Sequence, residues 1–158
     1  MTDLLVKLYE LPPLAQLDPA LTVRRALAPE KRFLAEWVAR EFSAGWASEL
    51  EVAFSRQPLA CFVAHQSSQV LGFACYDSTA KGFFGPTGVA ASARGQGIGK
   101  SLLLAALYAM RAEGYFYAII GGAGPVEFYI STVGAIPIPG SDPGVYRGLL
   151  PVSSRSQG

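Results

Sequence analysis

Residues 89–101 read Val89-Ala90-Ala91-Ser92-Ala93-Arg94-Gly95-Gln96-Gly97-Ile98-Gly99-Lys100-Ser101. The apolar run Phe83 to Ala90 precedes them, and a long apolar stretch through Leu102 to Met110 follows, closed by Glu113 and Gly114. This spells a strand, a glycine-rich turn and a long helix. A helix N-terminus offers unpaired N–H groups and the positive end of the macrodipole, so it suits phosphate. Glycines permit close backbone approach and positive φ. Arg94 and Lys100 add charge beside them.

Three phosphate-binding patterns compete for this turn. A P-loop needs a glycine five residues before Gly99-Lys100-Ser101, at position 94, which is arginine. A dinucleotide fingerprint starting at Gly95 and Gly97 needs its third glycine at position 100, which is lysine. The pattern Arg/Gln-x-x-Gly-x-Gly/Ala fits Arg94-Gly95-Gln96-Gly97-Ile98-Gly99 at every fixed position.

Working outward, Leu4 to Tyr9 is a first strand, and residues 14–28 are ambiguous. Pro29 suits the first turn of a helix, and Phe33, Trp37, Val38 and Phe42 recur at helical spacing. Trp46, Leu50 and Phe54 mark a second helix that Pro58 stops. Leu59 to His65 and Val70 to Asp77 form a hairpin around Gln66-Ser67-Ser68-Gln69, placing Cys61 and Cys75 opposite each other as buried thiols. Tyr115 to Ile120 is a strand, Pro125 opens a short helix ending near Gly134, and Ala135 to Ile138 and Val145 to Leu150 are two last strands. The expectation is an α+β domain: a mixed, mostly antiparallel sheet of about seven strands, flanked by about four helices. It spans residues 1–152, with 153–158 a polar tail.

Charge and composition narrow the function. The chain has 158 residues and a formal net charge of +1. Residues 52–112 carry five basic side chains against Asp77 alone, so the middle third is electropositive without a basic run. That suits a small anionic ligand and argues against nucleic acid. The longest apolar run is about half a membrane span, and no basic, apolar leader opens the sequence. One histidine and two cysteines supply too few ligands for a zinc site. A cytoplasmic domain without metal, membrane or nucleic-acid partner is the expectation.

The hexapeptide Arg94–Gly99 and the order of elements around it resemble the GNAT superfamily of acetyl-CoA-dependent N-acetyltransferases over roughly residues 4–150. The resemblance implies acetyl-CoA as acyl donor. It places the pyrophosphate against the N–H groups of Gly95, Gln96, Gly97, Ile98, Gly99 and Lys100, with Ser101 following. It places the pantetheine arm along the strand near Val89 and Ala91, with Arg94 and Lys100 supplying charge. The acceptor is a small-molecule or peptide amine; a homodimer is a family-level expectation. The sequence departs from the family twice. Gly121 to Pro125 lacks the asparagine often found there, and Tyr129 lies five rather than four residues before Gly134.

Tyr129 is the candidate donor of a proton to the departing thiolate, since tyrosine is protonated at neutral pH. The strand before the turn holds no carboxylate. Asp77 is therefore the candidate base or substrate anchor, with Glu49 and Glu51 as alternatives. Trp46, Glu49 and Tyr76 are candidate acceptor-binding residues, and His65 reads as an exposed loop neighbour. Two other readings stay open: a non-catalytic acyl-CoA binding module, and an N-terminal or lysine acetyltransferase of proteins.

Overall fold

Seven short strands pair into one sheet in the order β2-β3-β4-β5-β6-β1-β7. The computed structural model describes residues 1–14 and 16–151, so the tail expected at 153–158 lies outside the described residues. The elements are β1 (Leu4–Lys7), β2 (Thr22–Arg25), α1 (Lys31–Glu41), α2 (Ala44–Ala53), β3 (Cys61–Gln66), β4 (Gln69–Tyr76), β5 (Phe83–Val89), α3 (Ile98–Ala112), β6 (Tyr117–Ile120), α4 (Val126–Val133) and β7 (Ile136–Pro137). All pairings are antiparallel except β5 with β6. Parallel neighbours need a crossover, and α3 supplies it.

The helices cover both faces of the sheet. On α3, Leu102, Leu103, Leu104, Ala106, Leu107 and Met110 are all buried. Truncating any of these leucines to alanine should cost ~2–5 kcal/mol. A β-carbon on Gly72 of β4 would meet Leu102, so that residue faces α3. Its neighbour Phe73 points the other way. There it meets Trp37 of α1, Phe42 of the α1–α2 junction and Trp46 of α2, at ring-centroid distances of 6.3, 5.7 and 6.1 Å. Ser43 caps α2 by accepting a hydrogen bond from the Trp46 N–H at 3.1 Å. That cap fixes where α2 begins and so places Trp46 in its first turn.

The structure resolves one stretch left open and corrects three expectations. The ambiguous stretch contains β2, an edge strand paired with β3 from Thr22↔His65 to Arg25↔Phe62. Its TVRR sequence has no apolar alternation, and none of its four residues is fully buried. Val145 to Leu150 is no strand. It is a 3-10 turn at Gly144–Tyr146 followed by irregular chain, with Val145, Leu149 and Leu150 exposed. Pro29 lies in a 3-10 turn at Ala28–Glu30, and α1 begins at Lys31. The buried face of α1 uses Leu34, Trp37 and Val38, leaving Phe33 exposed. The hairpin is as expected, with Cys61 opposite Cys75 and both thiols free and buried.

Candidate active site

The sheet opens where β5 and β6 part. They pair only at Phe83↔Ile119 and Phe84↔Ile120. Gly85, with φ +117°, and Pro86 follow immediately on β5, while Gly121 and Gly122 follow on β6. Two cavities meet at this opening. One is a groove of about 580 Å³ running from Thr87 along β5 to the glycine turn. The other is a cleft of about 250 Å³ between α2, the β5–β6 opening and the segment around Asp142 to Leu149. Thr87 and Tyr129 line both.

The groove is built by the glycine turn. Gly95 and Gly97 have φ of +86° and +78°, a region that L side chains rarely adopt. Gly97 is the residue preceding α3, so the unpaired N–H groups of the first helical turn open towards the groove. Of the residues expected to hold the cofactor, Val89, Ala91, Arg94, Gly95, Gly97, Ile98, Gly99 and Lys100 line it; Gln96 and Ser101 do not. The Gln96 amide is turned back to the Ala93 carbonyl at 3.4 Å. Ser101 is buried in the first turn of α3, and its hydroxyl has no hydrogen-bond partner. A groove with two cationic side chains, helix N–H groups and a strand edge fits a phosphorylated, extended ligand such as an acyl-CoA.

The cleft carries a different chemistry. Trp46 and Glu49 of α2 line it, with Phe84, Tyr146, Asp142 and the buried Tyr129. Burial pushes the Tyr129 hydroxyl up to about 12, so it stays protonated at every working pH. Despite its five-residue spacing from Gly134, its side chain reaches both cavities. The left-handed Gly134 (φ 66°) ends α4 by accepting the turn after Val133. The glycines in place of the family's asparagine have a local reason. A β-carbon on Gly121 would lie 2.7 Å from the Tyr146 hydroxyl. A side chain there would press on that hydroxyl and on the Phe83 ring, whose Cδ2 and Cε2 would lie at 2.9 Å.

Two candidate residues lie elsewhere. Asp77 lines neither cavity. It is buried, with φ 55°, and its carboxylate accepts hydrogen bonds from Gly82 N–H at 2.7 Å and from Tyr115 Oη at 3.0 Å, with Arg56 at 3.7 Å. It organises the β4–β5 turn; the carboxylates that line the cleft are Glu49 and Asp142. Tyr76 is fully buried; its hydroxyl accepts from Arg25 at 2.8 Å and donates to Glu113. It belongs to the core. Glu51 is on the exposed face of α2. His65 is half-buried, accepting from Arg24 at 3.3 Å through Nε2. Sequence reasoning missed Phe42 and Thr87 in the groove and Asp142 in the cleft. None carries a local signal, because chain segments far apart in sequence bring them together.

Comparisons agree with this geometry. The family model described as Acetyltransferase (GNAT) family matches residues 27–125. No curated protein matches the sequence. The fold superposes on the glucosamine N-acetyltransferase region of a fungal multi-domain GH3 β-N-acetylglucosaminidase, with TM-score 0.67 and 17% identity, over 87% of this chain and 19% of that one. It also superposes on GCN5-related N-acetyltransferases from Sphaerobacter thermophilus (TM-score 0.62, 22% identity, 87% of this chain, 48% of that one) and from Kribbella flavida (0.62, 20%, 86% and 53%). The chain thus spans about half the length of the latter two and a fifth of the first. Among the described residues no helix is long and apolar enough to cross a membrane. With the family match covering more than half of its length, this chain belongs to the GNAT acetyltransferase family, whose chemistry is acyl transfer from acyl-CoA.

Proposed function

We propose that the protein transfers the acetyl group of acetyl-CoA to a primary amine of a small acceptor, by direct attack with both substrates bound. The observation that carries this reading is the meeting of groove and cleft at Thr87 and Tyr129. When bound, acetyl-CoA supplies an electrophilic thioester carbonyl and a thiolate leaving group. The turn from Gly95 to Lys100 holds the phosphates, and the parted edge of β5 offers main-chain groups to the arm and to the acyl oxygen. Glu49 draws the acceptor ammonium into the cleft and takes up its proton, leaving a neutral nucleophile. Tyr129 gives its hydroxyl proton to the sulfur as the carbon–sulfur bond breaks. The compartment is the cytoplasm, where the unpaired Cys61 and Cys75 stay reduced.

The test is release of free thiol from acetyl-CoA across a panel of primary amines, run beside direct titration of acetyl-CoA binding. Amine-dependent thiol release supports the reading. Tight acetyl-CoA binding with no turnover on any amine would make the protein an acyl-CoA binding module instead.

A further inference from the structure

The acceptor cleft has an unequal charge lining. Two carboxylates face it from different walls, Glu49 on α2 and Asp142 in the segment after β7. No lysine or arginine side chain lines it among the described residues. Met1 also lines it, and its amino group lies 2.6 Å from Asp142 Oδ2. Both partners are about half exposed or more, and so open an ion pair contributes little and yields readily to a competing cation. The rest of the wall is aromatic: Trp46, Phe84 and Tyr146, with Tyr129 at the inner end. Carboxylates and ring faces together attract ammonium groups.

A second observation marks the cleft as a ligand site rather than a packing gap. Trp46 is 6% exposed, and its indole N–H has no acceptor among the described residues. A buried donor without a partner is costly, and a bound molecule carrying a hydrogen-bond acceptor would relieve it. Size adds a limit. At about 250 Å³ the cleft is smaller than the ~300–1,000 Å³ of pockets for drug-sized ligands.

We infer that the acceptor is a small amine bearing a second ammonium group and a hydrogen-bond acceptor such as a hydroxyl, held by Glu49, Asp142 and Trp46. This rests on the acetyltransferase reading above. One ammonium loses its proton and reacts beside Tyr129; the other stays charged and binds. The charge selects the substrate, because a monoamine of the same size forgoes one carboxylate partner.

The experiment compares 1,3-diamino-2-propanol with 1-amino-2-propanol, which differ only in the second amine. Thiol release from acetyl-CoA is measured at pH 7.5. The dication should have a kcat/KM ~2- to 5-fold higher, the ratio one partly exposed ion pair supplies. Asp142→Asn should bring that ratio close to one, Glu49→Gln should lower kcat/KM for both amines alike, and raised salt should lower the ratio. Calorimetric binding of the same two amines to the protein saturated with CoA gives the same comparison without turnover. Equal kcat/KM values, equal binding of the two amines, or a preference that survives Asp142→Asn would overturn the inference. Failure of the acetyltransferase reading looks different: no thiol release with either amine, while their binding still differs or does not.

Discussion

A β-carbon on Gly88 would lie 2.5 Å from Cζ and 2.6 Å from Cε1 of Phe42, so the Phe42 ring rests directly on the β5 backbone. The ring has little freedom to retreat. It packs against Trp46 at 5.3 Å and against Trp37 and Phe73 at 5.7 Å each. Gly88→Ala should therefore overpack this cluster and destabilise the fold by ~1–3 kcal/mol. Both residues line the groove, so CoA affinity should fall as well. Adding Phe42→Leu should recover part of the stability, a non-additivity that a double-mutant cycle in urea reads directly. Fully additive losses would show that the ring yields without cost.

The glycine turn gives the second expectation. At Gly97 a β-carbon meets nothing nearer than Leu17 at 3.9 Å, but the φ of +78° disfavours any side chain. Aspartate is among the residues that tolerate that region, so Gly97→Asp should fold. Its carboxylate would stand at the mouth of α3, where the phosphates must come, and calorimetry should detect no CoA binding. Gly99 differs: its β-carbon would make ordinary contact with Val89 at 3.6 Å. Gly99→Ala should bind CoA more nearly normally than Gly97→Asp.

Asp77 is expected to matter for stability more than for turnover. Its carboxylate gathers Gly82 N–H, the Tyr115 hydroxyl and Arg56 around one buried turn. Asp77→Asn removes the charge and weakens acceptance from those donors, at a cost of ~1–3 kcal/mol. Thermal unfolding should show the loss, while kcat at a temperature where both proteins are folded should change little. A collapse of kcat with unchanged melting temperature would return Asp77 to the chemistry.

How much of this was legible in the sequence follows from where the information lies. The glycine turn is local: its residue types, spacing and flanking strand and helix all fall within about thirty positions, so the groove could be read. Tyr129 could be placed on its short helix for the same reason. β2 was silent because an edge strand needs no apolar alternation, and its Arg24 and Arg25 instead reach Glu30 and Tyr76. Val145 to Leu150 misled because its apolar residues Val145, Leu149 and Leu150 are exposed, with Leu149 on the cleft wall beside Tyr146. Asp77 and Tyr76 carry suitable chemistry and sit at a strand end, but their partners Tyr115, Arg25 and Glu113 are distant in sequence. Nothing local shows that those functional groups are already engaged.

Charge in the groove predicts a ligand-dependent effect. Arg94 and Lys100 both line it, with Glu41 as the opposing charge. Arg94→Gln and Lys100→Gln should each weaken CoA binding and flatten its salt dependence, because screened charges contribute less as ionic strength rises. Binding of pantetheine, which lacks the phosphates, should be nearly unchanged. Equal losses for CoA and pantetheine would assign these side chains to packing.

Tyr129 supports two measurements on one substitution. Tyr129→Phe keeps the ring against Phe84 and Phe128, at centroid distances of 6.4 and 5.1 Å, and removes only the hydroxyl. If that hydroxyl protonates the thiolate, kcat should fall ~10²–10⁴-fold with CoA affinity little changed. Because burial raises its pKa to about 12, the native pH–rate profile should show no falling limb from Tyr129 below about pH 11. The same shift sets a stability signature. Between pH 10 and 12 the folded chain holds this proton while the unfolded chain, at the ordinary tyrosine value near 10, releases it. The folded state then binds more protons, so stability is fully present below pH 10 and falls as pH rises to 12, by up to a few kcal/mol from this residue. Tyr129→Phe should lose that share of the alkaline decline. Tyr76 and Tyr115, also raised to about 12, should keep theirs. Near-normal kcat in the variant, together with the flattened alkaline curve, would mean that the hydroxyl is buried as expected but is not the proton donor, leaving Tyr146 as the tyrosine on the cleft wall to be tested next.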